Sequence, residues 1–257
     1  MSPAKIINSV LELENVSLGY DRVIYSAINA SAKSGEMIAV VGANGMGKST
    51  LLRSLSGILK YHGGVIKIDG ENVSSYTPGQ LSIKISYVPS QSPRTKNLSL
   101  FDMVSAGCYN RSNWLGIIDN QEREFVSSTI IKVGLTDFIS RDSSMLSDGE
   151  FQRAAIARSL VQNSKIMLLD EPTAFLDIAN RITTVKLLKE IASKEGKTII
   201  FSTHDLLQAI KLCDKIWVMG HDSFIEGTPD ELIEKRAFDK MFKDSSLKFD
   251  SELFTFL

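Results

Sequence analysis

One nine-residue segment constrains this chain more than any other feature of its sequence. It consists of Gly42, Ala43, Asn44, Gly45, Met46, Gly47, Lys48, Ser49 and Thr50, and its first eight residues match the pattern G-x-x-x-x-G-K-[ST] without a mismatch. The apolar run Met37–Val41 before it is typical of a strand buried on both faces, and a helix is predicted from Lys48 to about Leu59. In that setting, backbone N–H groups and the helix N-terminus surround phosphate oxygens. We therefore predict a phosphate-binding loop in which Lys48 neutralises the β- and γ-phosphates and the Ser49 hydroxyl reaches Mg²⁺.

A second apolar run delivers two carboxylates. The predicted strand Ile166–Leu169 is followed directly by Asp170 and Glu171, and ligands bind at the carboxyl ends of strands in open α/β sheets. Because a phosphate loop precedes this strand in the chain, Asp170 is predicted to hold the Mg²⁺ of a nucleotide, directly or through a water. Glu171 is predicted to act as the general base on the attacking water. The two segments together indicate a nucleotide site.

Strand and helix patterns alternate along most of the chain. Half-buried strands are predicted between residues 10 and 34, and another strand at 65–70. Helical spacing dominates from about residue 98 to 162, which we interpret as a helical insert. The strand pattern then resumes at 166–169, 198–203 and 215–219, with helices at 182–194 and 206–212. This alternation predicts an α/β fold with a mostly parallel central sheet.

Composition excludes several classes of protein. Lys and Arg number 29 against 30 Asp and Glu, so the net charge of −1 gives no footprint for nucleic-acid binding. No apolar run approaches the roughly 20 residues that span a bilayer. The start at Met1–Lys5 lacks a secretory leader, so we expect a cytoplasmic protein. Cys108 and Cys213 form no metal-spaced pair and are expected to be buried, reduced thiols.

Further motifs resemble those of one family. Residues 146–150 read Leu-Ser-Asp-Gly-Glu and resemble LSGGQ, the signature of ATP-binding-cassette (ABC) proteins. Residues 170–177 resemble the Walker B and D-loop stretch of that family, and residues 202–205 resemble its switch-histidine segment. The resemblance covers about residues 11–228 and implies a P-loop NTPase cassette with an N-terminal antiparallel β subdomain. It implies an ATPase domain at 10–228 with a helical subdomain inserted at about 92–162. Residues 229–257 are predicted to form an amphipathic or partly ordered C-terminal extension without an assigned role, and packing against its own domain is the simplest interpretation of its apolar residues.

The resemblance also implies roles for single residues around ATP. It places Tyr20 on the adenine ring and His204 in contact with the γ-phosphate. There the histidine keeps the attacking water, which Glu171 activates, aligned. The contact to Mg²⁺ and water is assigned to Gln91, although Ser90 occupies that position in an ungapped alignment. With Lys48, the residues Glu171 and His204 form the implied catalytic set, and ATP and Mg²⁺ are the implied cofactors.

The signature motif implies that the working ATPase is a homodimer. Its backbone amides and Ser147 hydroxyl would meet the γ-phosphate held by the other subunit's phosphate loop. The nucleotide-binding residues implied there are Ser147, Asp148, Gly149, Glu150 and, from the D-loop, Asp177. Asp148 and Glu150 replace the usual glycine and glutamine. Their carboxylates either point away from the phosphate or weaken ATP-driven closure.

Within the family, the signature and D-loop segments look most like those of ATPases from importers of iron chelates, haem and cobalamin. The implied partners are two integral-membrane permease subunits and, indirectly, a substrate-binding protein, with no nucleic acid. The chain would then be cytoplasmic and peripheral at the inner face of the cell membrane. Two alternatives stay open: the ATPase of another ABC transporter, such as a metal-ion importer or an exporter, and a non-transport ABC ATPase.

Overall fold

The computed structural model describes residues 9–112, 116–221, 223–242, 248–250 and 255–256. The expectation for Met1–Lys5 concerns residues outside this set. The strands are β1 (Ser9–Gly19), β2 (Val23–Lys33), β3 (Met37–Gly42), β4 (Gly63–Ile68), β5 (Glu71–Asn72), β6 (Ile85–Val88), β7 (Ile166–Leu169), β8 (Thr198–Ser202), β9 (Lys215–Met219), β10 (Phe224–Gly227), β11 (Phe249–Asp250) and β12 (Thr255–Phe256). The α-helices are α1 (Lys48–Leu55), α2 (Pro78–Lys84), α3 (Leu100–Ser105), α4 (Asn120–Lys132), α5 (Asp148–Val161), α6 (Ile178–Glu195), α7 (Leu206–Leu212) and α8 (Pro229–Glu234).

A mostly parallel sheet lies at the centre of the fold, with the strand order β10-β9-β3-β8-β7-β6. β3 pairs in parallel with β8 and β9, and β7 pairs in parallel with β6 and β8. Every residue of β3 and β7 is buried, as their continuous apolar runs indicate. The predicted α/β fold is confirmed. The edge strand β10, which pairs antiparallel with β9, is an addition that the alternating pattern did not indicate.

The N-terminal strands form a second, antiparallel sheet in the order β2-β1-β4-β5. Successive side chains of β3 divide between two cores because a strand turns alternate residues to opposite faces. Ile38 and Val40 pack with α1 and the antiparallel sheet. Met37, Ala39 and Val41 pack with the helical insert and the helices after it. The phosphate loop thus leaves a strand that is anchored on both sides.

Three helix ends differ from the predicted ones. α1 ends at Leu55 rather than near Leu59, because Gly57 follows with a φ of 75°, a conformation that stops a helix. α6 begins at Ile178 rather than Ile182, because the side chain of Asp177 accepts a hydrogen bond from the Asn180 N–H. α5 begins at Asp148, four residues before its apolar pattern, for a similar reason described below.

The C-terminal residues that the structure describes pack against the central core. Phe238 is fully buried, and the rings of Phe249 and Phe238 lie 5.0 Å apart between centroids. The rings of Phe242 and Phe256 meet edge to face at 4.8 Å. Phe254, the remaining phenylalanine of this segment, lies outside the described residues. These contacts agree with the expected packing of the extension.

The two cysteines are free and buried, as expected from their spacing. Burial raises the pKa of the Cys108 thiol to about 11 and that of Cys213 to about 12. Both side chains are therefore protonated and unreactive at neutral pH. Among the described helices, none combines the length and the apolar character needed to cross a membrane.

Candidate active site

The phosphate loop connects the buried end of β3 to the start of α1. Gly42 has no room for a side chain, because a Cβ there would lie 2.5 Å from the Met219 carbonyl oxygen. Gly47 has a φ of 97° and stands directly before α1, so the first helical N–H groups face the loop. The Lys48 Nζ donates to the carbonyl oxygens of Gly42 at 2.9 Å and Ala43 at 3.2 Å. The loop is thus folded around its own lysine, and its binding of phosphate stays a prediction.

Lys48 is buried, with 5% of its surface exposed. Burial lowers the pKa of its ammonium group, while the negative charges of Glu171 and Asp170 oppose that shift. The lysine therefore lies within the electrostatic reach of both carboxylates at the end of β7. The structure thus brings the two segments of the predicted nucleotide site together.

Asp170 is fixed by three hydroxyl groups at the carboxyl end of β7. Its Oδ1 accepts hydrogen bonds from Ser49 Oγ at 2.9 Å and from Ser202 Oγ at 2.8 Å. Its Oδ2 accepts a longer bond from Tyr87 at 3.4 Å. The carboxylate is 1% exposed, and such burial requires hydrogen-bond partners. Ser202 and Tyr87 received no role from the sequence, although Ser202 is the first residue of the switch-histidine segment at 202–205.

The donors around Asp170 fit a divalent cation of the magnesium type. Ser49 and Asp170 offer a hydroxyl and a carboxylate oxygen next to the phosphate loop, and Mg²⁺ binds through one or two such ligands together with phosphates and water. Among the described residues, no group of three or more His, Cys, Asp or Glu side chains could hold a metal ion. Ser49 and Asp170 would hold the cation beside the phosphates of a nucleotide.

Glu171 and His204 form a pair at the mouth of the site. His204 Nε2 lies 2.7 Å from Glu171 Oε1, although the two residues are 33 positions apart in the sequence. The Glu171 backbone has a φ of 48°, which is unusual for a residue with a side chain. Its N–H donates to Ser202 Oγ at 2.8 Å, and this bond holds the strained backbone. A cavity of about 150 Å³ next to the pair is lined by Glu171, Thr203 and His204 among others.

Tyr20 lies on the turn between β1 and β2, with 54% of its surface exposed. Its hydroxyl accepts a hydrogen bond of 3.4 Å from Arg53 Nη1 on α1. This bond places the aromatic ring on the same side of the molecule as the helix that follows the phosphate loop. Stacking on adenine stays a prediction.

The signature segment begins α5 with a capping box. The Ser147 Oγ accepts from the Glu150 N–H at 3.4 Å, and the Glu150 Oε2 accepts from the Ser147 N–H at 2.8 Å. The bond from the Ser147 backbone lowers the pKa of the Glu150 carboxyl group. Glu150 is thus directed to its own helix end. The spacing S-x-x-E was present in the sequence and could have predicted this cap.

The D-loop and the signature segment are joined through Asn180. Asp177 Oδ1 accepts from the Asn180 N–H at 2.8 Å, and Asp177 Oδ2 accepts from the Asn180 side chain at 2.9 Å. Asn180 Oδ1 in turn accepts from Arg153 of α5 at 3.1 Å. A Cβ on Gly149 would lie 2.8 Å from the Asn180 side chain, so this position in the signature requires glycine. In this chain Asp177 caps α6, and its role toward a nucleotide stays a prediction.

Gln91 and Ser90 line one cavity of about 390 Å³, together with Asp148, Gln152 and Phe175. Both candidates for the contact to Mg²⁺ and water therefore remain. The hydrogen bonds of Ser147, Asp148 and Glu150 among the described residues do not reach the phosphate loop. The chain thus presents two separate groups of site residues, one around Lys48 and one around the signature segment.

Comparisons with known proteins extend the likeness beyond the motifs. The family model described as ABC transporter matches residues 25–174. The petrobactin import ATP-binding protein FpuD of Bacillus anthracis is 32% identical, over 92% of this chain and 88% of its own. The iron(3+)-hydroxamate import ATP-binding protein FhuC of Bacillus subtilis (strain 168) is 28% identical, over 95% of this chain and 90% of its own. A solved structure of a transporter assigned to the metal-chelate type has a TM-score of 0.80 at 27% identity, and the match covers 91% of this chain and 89% of that one.

Proposed function

The chain belongs to the ABC transporter family, and on that premise we propose that it hydrolyses ATP to energise the import of a ferric siderophore, haem or cobalamin. ATP-binding domains homologous to it are ATPases coupled to transport. The observation that carries the catalytic part is the 2.7 Å contact between His204 and Glu171, next to the bonded pair Ser49 and Asp170. The choice of cargo is supported by FpuD and FhuC, whose names describe import of petrobactin and iron(3+)-hydroxamate.

The phosphate loop binds the triphosphate. The ammonium group of Lys48 now donates to two neutral carbonyl oxygens. A phosphate would replace them with charged acceptors, which form stronger hydrogen bonds. Mg²⁺ bound near Ser49 and Asp170 would neutralise charge that develops on the phosphates. Ser202 keeps Asp170 in place while this occurs, because its hydroxyl donates to the carboxylate.

Glu171 is the general base of the proposed hydrolysis. Its carboxylate accepts a proton from a water as the water oxygen bonds to the γ-phosphorus and the bond from that phosphorus to ADP breaks. His204 orients the carboxylate through the 2.7 Å contact. The Ser202 bond to the Glu171 backbone keeps this residue in its unusual conformation. Water activation therefore depends on contacts between β7 and the end of β8.

A second copy of the chain completes the site. Apolar side chains next to the signature and D-loop segments are strongly exposed: Met145 at 67%, Phe175 at 71% and Ile178 at 75%. Large apolar residues that are this exposed beside both segments are typical of an interaction surface. The N-terminus of α5 carries partial positive charge and would face the γ-phosphate on the partner's loop. Closure of the homodimer around two ATP molecules, and its opening after hydrolysis, would then provide the mechanical work.

An apolar groove on another face suits a permease. A cavity of about 730 Å³ is lined by Tyr61, Val73 and Leu81 among others, and by Ile58, which is 64% exposed. The groove lies between the end of α1, α2 and β6, the strand that leads to Gln91. A cytoplasmic helix of a permease subunit bound here would be linked to the ATP site by the loop that carries Gln91. This contact would hold the chain at the inner face of the membrane, in a complex that a substrate-binding protein supplies with cargo.

The proposal is tested with a tagged Glu171→Gln variant expressed in the native cell. Without the base, this variant should bind ATP and lose nearly all turnover, so the closed complex accumulates and a polytopic permease should be recovered with it from membranes. Adding Ile58→Asp should remove the permease because it puts a charge in the apolar groove. Ile131→Asp is the matched control, since Ile131 is 58% exposed and lies outside the groove.

Three results would contradict the proposal or a part of it. Recovery of soluble partners alone, with none of the protein on membranes, would exclude the importer role. Normal turnover in Glu171→Gln would exclude Glu171 as the base. Lys48→Ala should abolish tight ATP binding, and unchanged affinity in that variant would remove the phosphate loop from the proposed site.

A further inference from the structure

The signature segment carries a carboxylate that its capping box does not use. Glu150 bonds to the Ser147 N–H, but Asp148 occupies the first position of α5 with 70% of its side chain exposed. A carboxylate at this position stabilises the isolated helix through the helix dipole. The same charge would repel a phosphate that approaches the same helix end. An uncompensated Asp148 would therefore oppose nucleotide binding there.

Arg94 approaches this helix end from the loop that follows Gln91. Its Nη2 lies 2.6 Å from Asp148 Oδ1. Its Nη1 donates to the carbonyl oxygen of Leu146 and, at 3.4 Å, to that of Ser144. The guanidinium also lies 4.7 Å from the ring centroid of Phe151. One side chain thus contacts the turn before α5, its first residue and its first apolar ring.

We propose that Arg94 is a positioning residue for nucleotide-driven closure. Its guanidinium cancels the charge of Asp148, so that the N-terminus of α5 can accept the γ-phosphate of ATP bound to a second copy of the chain. The inference rests on the proposed homodimer. The planar guanidinium is suited to this task, because its fork contacts the carboxylate and the backbone carbonyls together. Arg94 and Asp148 therefore act as a unit in place of an uncharged residue.

The carbonyl contacts and the charge pair have different consequences. If Arg94 acts only by holding the turn at 144–146, its loss should impair closure whatever residue stands at position 148. If it acts by cancelling charge, a glycine at position 148 should remove the need for the arginine. The two substitutions combined therefore separate the two roles.

The experiment follows ATP-driven dimerisation by analytical ultracentrifugation in the Glu171→Gln background. Arg94→Ala should raise the ATP concentration for half-maximal dimerisation by about tenfold, as expected when one exposed charge faces a polyanion. Arg94→Ala with Asp148→Gly should return it to within about twofold of the parent. The ATP concentration for half-maximal dimerisation of Arg94→Lys should be close to that of the parent, because lysine keeps the positive charge. Arg123→Ala, which removes an arginine 4.9 Å from the Phe101 ring centroid, is the control and should have no effect.

Three outcomes would overturn the inference. In the first, Arg94→Ala dimerises like the parent. In the second, the double variant is as impaired as Arg94→Ala, so that Arg94 acts through the carbonyls alone. In the third, the Glu171→Gln parent itself does not dimerise with ATP, and then the proposed homodimer fails together with the inference. Thermal unfolding of each nucleotide-free variant checks folding, and if Arg94→Ala does not fold, Arg94→Gln replaces it in the same cycle.

Discussion

A single buried hydroxyl at the end of β8 contacts both residues that follow β7, the carboxylate of Asp170 and the backbone N–H of Glu171. Ser202 is fully buried, donates to Asp170 Oδ1 at 2.8 Å and accepts from the Glu171 N–H at 2.8 Å. Asp170 is the proposed cation ligand and Glu171 the proposed base, so one side chain relates the two functions. The backbone strain at Glu171 is tolerated because this bond is in place.

Ser202→Ala should therefore impair catalysis and stability together. It leaves the Glu171 N–H without its partner, so the free energy of unfolding should fall by about 1–3 kcal/mol. The shift of the base should lower kcat by at least about tenfold. Urea unfolding and steady-state ATPase assays measure the two effects. Ser159→Ala is the control, since it removes a buried hydroxyl bonded to Ser86 at 2.6 Å, away from the carboxylates. This control should lower stability and leave kcat unchanged. An unchanged kcat in Ser202→Ala would refute the positioning role of Ser202.

At the scale of elements, one arginine joins two helices of the helical insert. Arg111 contacts Glu122 of α4 through both carboxylate oxygens, at 2.5 Å and 3.0 Å. It also donates to the carbonyl oxygens of Val161 and Gln162, at the C-terminus of α5. A cation there compensates the negative end of the helix dipole. The insert carries the signature segment at the other end of α5, so this contact supports the position of the segment.

The contact should give the insert a pH-dependent stability. The hydrogen bonds from Arg111 lower the pKa of the Glu122 carboxyl group below its usual value. The stabilisation is therefore complete above the unfolded pKa of about 4.3 and is lost as the pH falls through the lower folded value. At pH 7, Glu122→Gln should reduce the free energy of unfolding by about 1–3 kcal/mol, and the difference from wild type should shrink steadily below about pH 4.

Urea unfolding between pH 7 and pH 3 measures this difference. Glu190→Gln serves as the comparison, because Glu190 forms an exposed pair with Lys194 at 3.4 Å. Such a pair should contribute less than about 0.5 kcal/mol. A constant gap between Glu122→Gln and wild type across the pH range would contradict the assignment.

The whole molecule presents its site residues in two groups, and among the described residues no hydrogen bond joins a side chain of one group to a side chain of the other. The group around Lys48 contains the phosphate loop and the carboxylates, and the other contains the signature and D-loop segments. Phe175, in the D-loop, combines 71% exposure with a φ of 63°, so a strained backbone presents an aromatic ring to solvent. If the proposed homodimer closes, this ring is expected to pack against the second copy.

Phe175→Glu should therefore block dimerisation without removing ATP binding. In the Glu171→Gln background, the variant should stay monomeric at saturating ATP, because a carboxylate would be buried in the interface. Its affinity for ATP as a monomer should stay within about twofold of the parent, since the phosphate loop lies outside the change. Light scattering and nucleotide titration measure the two properties. As a control, Tyr109→Glu alters another aromatic residue, at 54% exposure, and should still dimerise. A normal dimer with Phe175→Glu would contradict the proposed packing of the Phe175 ring against the second copy.

The fold class and the central features of the site were predictable from local sequence. A continuous apolar run indicates a buried parallel strand, and β3, β7 and β8 lie where those runs predicted them. The glycines and Lys48 of the phosphate loop carry a pattern whose geometry is local, so its conformation could be predicted. Asp170 and Glu171 follow a buried strand directly, which places them at the ligand-binding edge. Each of these features depends on residues that are neighbours in the chain.

The remaining features depend on residues that are distant in the chain. Ser202 lies 32 positions from Asp170, and Arg94 lies 54 positions from Asp148. Neither pair has a spacing that periodicity can reveal, because each partner is brought into place by a different strand or loop. Neighbouring residues thus specified the phosphate loop and the positions of the buried strands along the chain. Packing of distant segments determined the hydrogen-bond partners of Asp170, Glu171 and Asp148. A hydrogen bond needs a particular direction and distance, and only the assembled sheet and helices provide them.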